Sequence, residues 1–163
     1  MFEIGSYVMY KQDVCVIKGI EKNKYTNLDS YVLAPVYDND LKITTPVSNK
    51  VGYLRKLITL KEINKLIKEM PSIEVIKTDN RNLENEYRQL LHSGKHEDLV
   101  KIIKTAYLRN KKRSDSNRNI GEKDKEYFDK AEKYLYNELS IVLNKSFDET
   151  KKYIVDKVTK MGD

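Results

Sequence analysis

The sequence predicts an α+β protein: a small five-stranded β-barrel followed by an all-α domain of about five helices. Three observations carry this prediction. Before residue 58, short runs rich in valine, isoleucine, tyrosine and threonine alternate with turn residues, and none keeps a helical period over three turns. After it, apolar residues recur at three- and four-residue spacing between recognisable caps. A chain of 163 residues also buries enough surface to fold without disulfides or metal.

In the first domain, residues 1–58, β-like runs are predicted at 7–10, 14–20, 31–37, 41–45 and 52–57. Turn chemistry separates them, with Gly5, the polar stretch 27–30, and Asp38, Asn39 and Asp40 as a hairpin connection. Five strands in so short a segment imply a strongly bent barrel. Pro35 and Pro46 cannot donate ladder hydrogen bonds and belong at an edge, a bulge or a strand end. An edge marked in this way could accept a strand from another protein. The single cysteine, Cys15, lies in an apolar run; it excludes an internal disulfide and fits a buried residue in a reducing cytoplasm.

The second domain, residues 59–163, opens on Thr59-Leu60-Lys61-Glu62, a capping box, with Leu60, Ile63, Ile67 and Met70 inward until Pro71 stops the helix. Asp79 or Asn80 caps a second helix with Leu83, Tyr87, Leu90 and Leu91 inward, ended by Ser93-Gly94. The third, 99–113, draws a stripe from Leu99, Ile102, Ile103, Ala106 and Tyr107. Its other face carries Lys101, Lys104, Arg109, Lys111, Lys112 and Arg113 without an acid among them. Residues 114–125 have no apolar period and read as an exposed loop with Arg118, Lys123 and Lys125. A long helix over 122–143 buries Phe128, Ala131, Leu135, Leu139 and Val142, with Tyr127, Tyr134 and Ile141 as a second stripe. Ser146 and Glu149 form another capping box before a last helix packed by Tyr153, Ile154 and Val158.

Catalytic chemistry finds no support. His92 and His96 flank Ser93-Gly94, far from Cys15 in sequence, so no cluster has metal-ligand spacing and no nucleophile is placed beside either ring. The six glycines make no phosphate-cradling loop, and the acids read as solvated helix faces. No catalytic residue, metal or cofactor is predicted. No stretch approaches the ~18 apolar residues of a membrane span, and the N-terminus has no basic leader, so a soluble, cytoplasmic, membrane-free monomer is expected. The net charge of +6 points to an acidic partner, and the basic end of the third helix with the loop behind it suits phosphate contacts without base readout.

The order of parts resembles the CarD-type bacterial transcription regulators. The resemblance rests on FEIGSYVMY at 2–10 with VCVIKGIE at 14–21, SYVLAPVYDNDLKITTPVSNK at 30–50, YRQLLHSGKHEDLVKIIKTAYLRNKKR at 87–113, and GEKDKEYFDKAEKYLYNELSIVL at 121–143. It implies a Tudor-like N-terminal barrel, of the kind shared with the transcription-repair coupling factor, that binds the RNA polymerase β subunit. It further implies a helical domain on promoter DNA at the upstream edge of the melted bubble. By position, the DNA-facing arginine corresponds to Arg109 and the lysine of the GEK segment to Lys123, with Lys104, Lys111, Lys112 and Arg113 beside them. The polymerase-facing strand corresponds to Lys42, Ile43 and Thr44, where relatives carry an arginine at the last position, and the neighbouring hairpin supplies Asn23 and Lys24.

One departure is large. The family places a tryptophan before the second helix as a minor-groove wedge, and this chain has none; the position falls at or near Asn80, and basic residues that often follow are Asn82 and Asn85. The implied function is regulation of open-complex stability through polymerase and promoter contacts. The alternative is a protein-interaction module or scaffold on polymerase without direct DNA contact.

Overall fold

The computed structural model describes residues 1–161. It divides into two compact units, Met1–Leu57 and a second that begins at Ile58. Ile58, placed by sequence in the first domain, is buried in the helical core.

The first unit is one antiparallel sheet of β1 (Tyr7–Tyr10), β2 (Asp13–Lys22), β3 (Asp29–Pro35), β4 (Ile43–Pro46) and β5 (Leu54–Arg55), in the order β4-β3-β2-β1-β5. Alternation aims Val8, Cys15, Ile17, Tyr31, Leu33 and Leu54 into one core, which Phe2, Tyr10, Ile43 and Val47 cover. Register shifts between Ile17 and Gly19, a bulge within the longest strand. The predicted strongly bent barrel is seen only as an open sheet: β4 and β5 occupy its opposite edges and do not pair with each other. Pro35 and Pro46 each end a strand. The third run stops two residues before its predicted end because the turn starts at Pro35, whose carbonyl accepts from the Asp38 N–H (3.1 Å).

The second unit is helical: α1 (Leu60–Glu69), a 3-10 turn (Met70–Ser72), α2 (Leu83–Leu91), α3 (His96–Asp115), α4 (Glu122–Leu143) and α5 (Phe147–Met161). Both capping boxes form. The Glu62 N–H donates to Thr59 Oγ1 and the Thr59 N–H to Glu62 Oε1, each 3.1 Å, and Ser146 and Glu149 repeat the pattern at 3.1 Å in both directions. Pro71 ends α1 as its missing N–H requires. Asp79 caps the turn ahead of α2, accepting the Asn82 N–H at 3.0 Å.

Several faces differ from their predicted ones. On α1 the core takes Leu66, and Leu60 is exposed. On α3 Tyr107 is exposed and Thr105 is buried, where its hydroxyl accepts the Ile76 N–H. The predicted loop 114–125 shrinks to residues 116–121, so Lys123 and Lys125 stand on the first turns of α4. The reading of the acids as solvated is overturned on α4, where Asp124, Glu132 and Glu138 are all buried. Each has a basic partner on another helix. No helix among the described residues is long and apolar enough to cross a membrane.

Candidate nucleic-acid interface

The basic segment at the end of α3 is organised by one acid that sequence reasoning missed. Asp124, in the first turn of α4, is 2% exposed. Arg109 donates from Nε to both of its oxygens (3.2 Å each), Arg113 from Nη1 to Oδ2 (2.5 Å), and the Tyr87 hydroxyl from α2 to Oδ1 (2.6 Å). Asn110 completes the arrangement, its Oδ1 accepting from Arg113 Nη1 and from the Gly121 N–H (2.8 Å). Arg109 and Asn110 lie four and three residues before Arg113 and so on the same side of α3; a single carboxylate at the start of α4 gathers the two arginines, and Asn110 joins through Arg113.

Burial alone would raise the Asp124 carboxyl. The hydrogen bonds from Tyr87 and Arg113 and the charge of Arg109 outweigh it and hold Asp124 below its ordinary range. Burial and the Asp124 bond push the Tyr87 phenol far above its ordinary range, so it remains a donor. The ring of Tyr87 stacks on Tyr127 at 5.1 Å, which fixes its position from α4 as well.

The predicted phosphate-binding residues therefore separate. Arg109 and Arg113 lie together on Asp124 and stay about a third exposed. Among the described residues Arg109 commits only Nε, and its Nη groups have no hydrogen-bond partner there and are not sealed from solvent. Lys111, Lys112 and Arg118 are exposed and have no acidic partner among the described residues. Lys123 is exposed beside Glu84 (3.2 Å) and Glu126 (3.5 Å), and the Glu84 bond and then the Glu126 charge raise its pKa. Lys104 is drawn out of the cluster: its ammonium donates to the carbonyls of Met70 (3.0 Å), Pro71 (3.4 Å) and Ile73 (2.6 Å), spending all three protons on the turn after α1. Asn80, Asn82 and Asn85 are exposed in and just after the turn leading into α2.

In the sheet, Ile43 and Thr44 lie on edge strand β4, paired only with Leu33 and Val32 of β3. Thr44 faces out and Ile43 covers the core. Lys42 pairs with Glu21 at 3.2 Å. The Asn23 side chain is consumed by the β2–β3 turn, its Oδ1 accepting the N–H groups of Tyr25 (2.8 Å) and Thr26 (3.1 Å), which leaves Lys24 exposed at the tip. His92 is exposed, whereas His96 pairs with Glu138 at 2.9 Å. No group of three or more metal-ligating side chains occurs among the described residues.

Two features could have pointed to Asp124: its place in the first turn after a glycine, and the one-turn spacing of Arg109 and Arg113. Neither says that they meet. In comparison with known proteins, the chain matches no family model and no curated protein.

Proposed function

We propose that this protein is a transcription regulator that binds the RNA polymerase β subunit through its sheet and promoter DNA, without reading sequence, through its helical unit, so modulating open-complex stability. The observation that carries the reading is the α3–α4 turn. There Lys111, Lys112 and Arg118 lack acidic partners among the described residues, and Arg109, fixed through Nε, keeps about a third of its side chain open to solvent. Such a cluster binds phosphates by releasing counterions and needs no contact to base edges. A side chain already held in place also loses less freedom on binding than a mobile one.

For the N-terminal unit, the reading is a Tudor-like barrel in open form. The meander order with β5 returning beside β1, and the bulge that bends the long β2, support it. Polymerase would add a strand to the β4 edge, with Ile43 and Thr44 supplying backbone pairing, and Lys42 and Lys24 flanking charge. Asn23 then acts by shaping the hairpin that presents Lys24.

A regulator of this kind works by differential affinity: binding the open complex ~1.4 kcal/mol more tightly than the closed one raises the open-to-closed ratio about tenfold. Tethering through polymerase raises the local concentration, so weak phosphate contacts suffice. The test is open-complex lifetime with the wild type and with the pair Lys111→Glu and Lys112→Glu, which touches no internal ion pair. Weaker promoter binding is expected, with a salt slope shallower by about one per lost phosphate contact. Unchanged binding and lifetime would refute DNA contact.

A second reading, a scaffold on polymerase without DNA contact, is favoured by one observation. Arg109, Arg113 and Lys123 already have acidic partners in the folded chain. It predicts that the same pair of substitutions leaves promoter binding intact while capture of polymerase β persists.

A further inference from the structure

The helical unit carries a groove that shares no side chain with the α3–α4 turn. α3 and α5 both pack on α4, and between them lies a half-open space of about 470 Å3. Its floor includes Leu135 and Tyr136, and Met70 and Pro71 of the 3-10 turn line it as well. Ile103 and Tyr107 line the α3 side, and Val155 and Val158 the α5 side. Tyr107 and Val155 are each about half exposed, at 55% and 51%, although both border this apolar space. Small-molecule sites typically occupy ~300–1,000 Å3, with mostly apolar walls and a few convergent polar groups.

The polar groups are sparse. Glu132 is buried and held by Lys151 (3.0 and 3.3 Å), whose side chain remains 43% exposed. The ammonium bonds only this one carboxylate and lies 5.7 Å from the centre of the Phe128 ring, another wall of the groove, so one of its three protons is not committed to an oxygen. One turn along α4, Tyr136 lines the groove, and its hydroxyl has no hydrogen-bond partner among the described residues and is not sealed from solvent. Burial, with the Glu132 charge, pushes this phenol up to about 12, so it is a neutral donor at pH 7. Lys104 adds positive charge, though its protons are spent on carbonyls. The charged lining is thus Lys104, Lys151 and Glu132, one positive charge in excess.

We propose that this groove binds a small apolar carboxylic acid, with its hydrocarbon or aromatic body against Ile103, Ile154, Val155 and Val158 and its carboxylate at the Lys151 ammonium and the Tyr136 hydroxyl. A cationic ligand would have to displace Lys151 from Glu132. A strongly hydrated anion such as phosphate would find apolar walls.

The test uses the full chain and two probe acids, decanoate below its micellar range and 1-naphthoate, each beside its uncharged alcohol, decanol or 1-naphthalenemethanol. Saturable binding of an acid is expected, with NMR shifts centred on Ile103, Ile154, Val155 and Val158, and binding at least fivefold tighter than that of the alcohol. Val155→Trp fills the groove from a half-exposed position and should weaken binding at least tenfold with the circular dichroism unchanged. Tyr136→Phe removes only the hydroxyl and should weaken it about threefold to tenfold. Absence of saturation by either acid, shifts scattered over the surface, or equal affinity for acid and alcohol would overturn the proposal. So would binding of an amphipathic helical peptide at the same residues with neither acid bound.

Discussion

At the scale of single residues, Asp124 decides most. Its carboxyl is held below the ordinary range, so its contribution to stability is complete above the unfolded value of about 4 and is lost as pH falls through the lowered folded value. Asp124→Asn should therefore destabilise the protein by about 2 kcal/mol near neutral pH, less than a fully buried pair because both arginines reach solvent. The same variant should unfold with a shallower acid limb. Denaturant melts of wild type and variant between pH 2 and 7 check both points. Gly121 offers a finer probe, since a Cβ there would collide with the Arg113 guanidinium while its backbone φ of −77° suits any residue. Gly121→Ala should displace Arg113 at a cost of about 1 kcal/mol, and in a double-mutant cycle with Arg113→Ala the two effects should fail to add.

At the scale of elements, the local signals are the legible ones. Thr59 with Glu62 and Ser146 with Glu149 are visible as capping boxes in the sequence and form as such, because a cap depends only on residues three apart. Thr59→Ala or Ser146→Ala should cost about 1 kcal/mol each, measured by thermal melts, with no change in the neighbouring core. The strand and helix periods are readable too, although Leu66 turns inward and Leu60 and Tyr107 outward against the predicted stripes. Closure of the sheet is not legible, because it depends on the tilt and stagger accumulated over all five strands, which no local pattern reports. The buried acids of α4 were unreadable for a related reason. Asp124, Glu132 and Glu138 look like any solvated helix acids until Arg113, Lys151 and His96, from 11 to 42 positions away, come to face them. Lys104 shows the converse, a basic residue on a basic face whose destination is three backbone carbonyls.

At the scale of the molecule, each unit owns a core: one around Tyr31 and Leu33, the other around Ile102, Leu135 and Leu139. Residues 58–163 alone are accordingly expected to fold with a cooperative thermal transition and full helical circular dichroism. Cys15 gives a matching probe of the sheet. Burial, with the Asp13 charge, raises its thiol to about 11, so alkylation in native buffer should be at least tenfold slower than after unfolding. In the helical unit, the ion pairs of α4 act as a ruler. Asp124 meets Arg109 and Arg113 near the end of α3, and Glu138 meets His96 at its beginning. The two acids are fourteen residues apart, or about 21 Å of helix, close to the interval between their partners. A slip of one turn would part both buried carboxylates from their basic partners on α3, leaving Asp124 with the Tyr87 hydroxyl and Glu138 with the Ile58 N–H, so the pairs select a single antiparallel alignment of α3 and α4 from those that apolar contact alone would tolerate. Removing both marks, with Asp124→Asn and Glu138→Gln, should leave helix content largely intact while broadening the thermal transition and the amide NMR spectrum, as helices that have lost their common zero slide against one another.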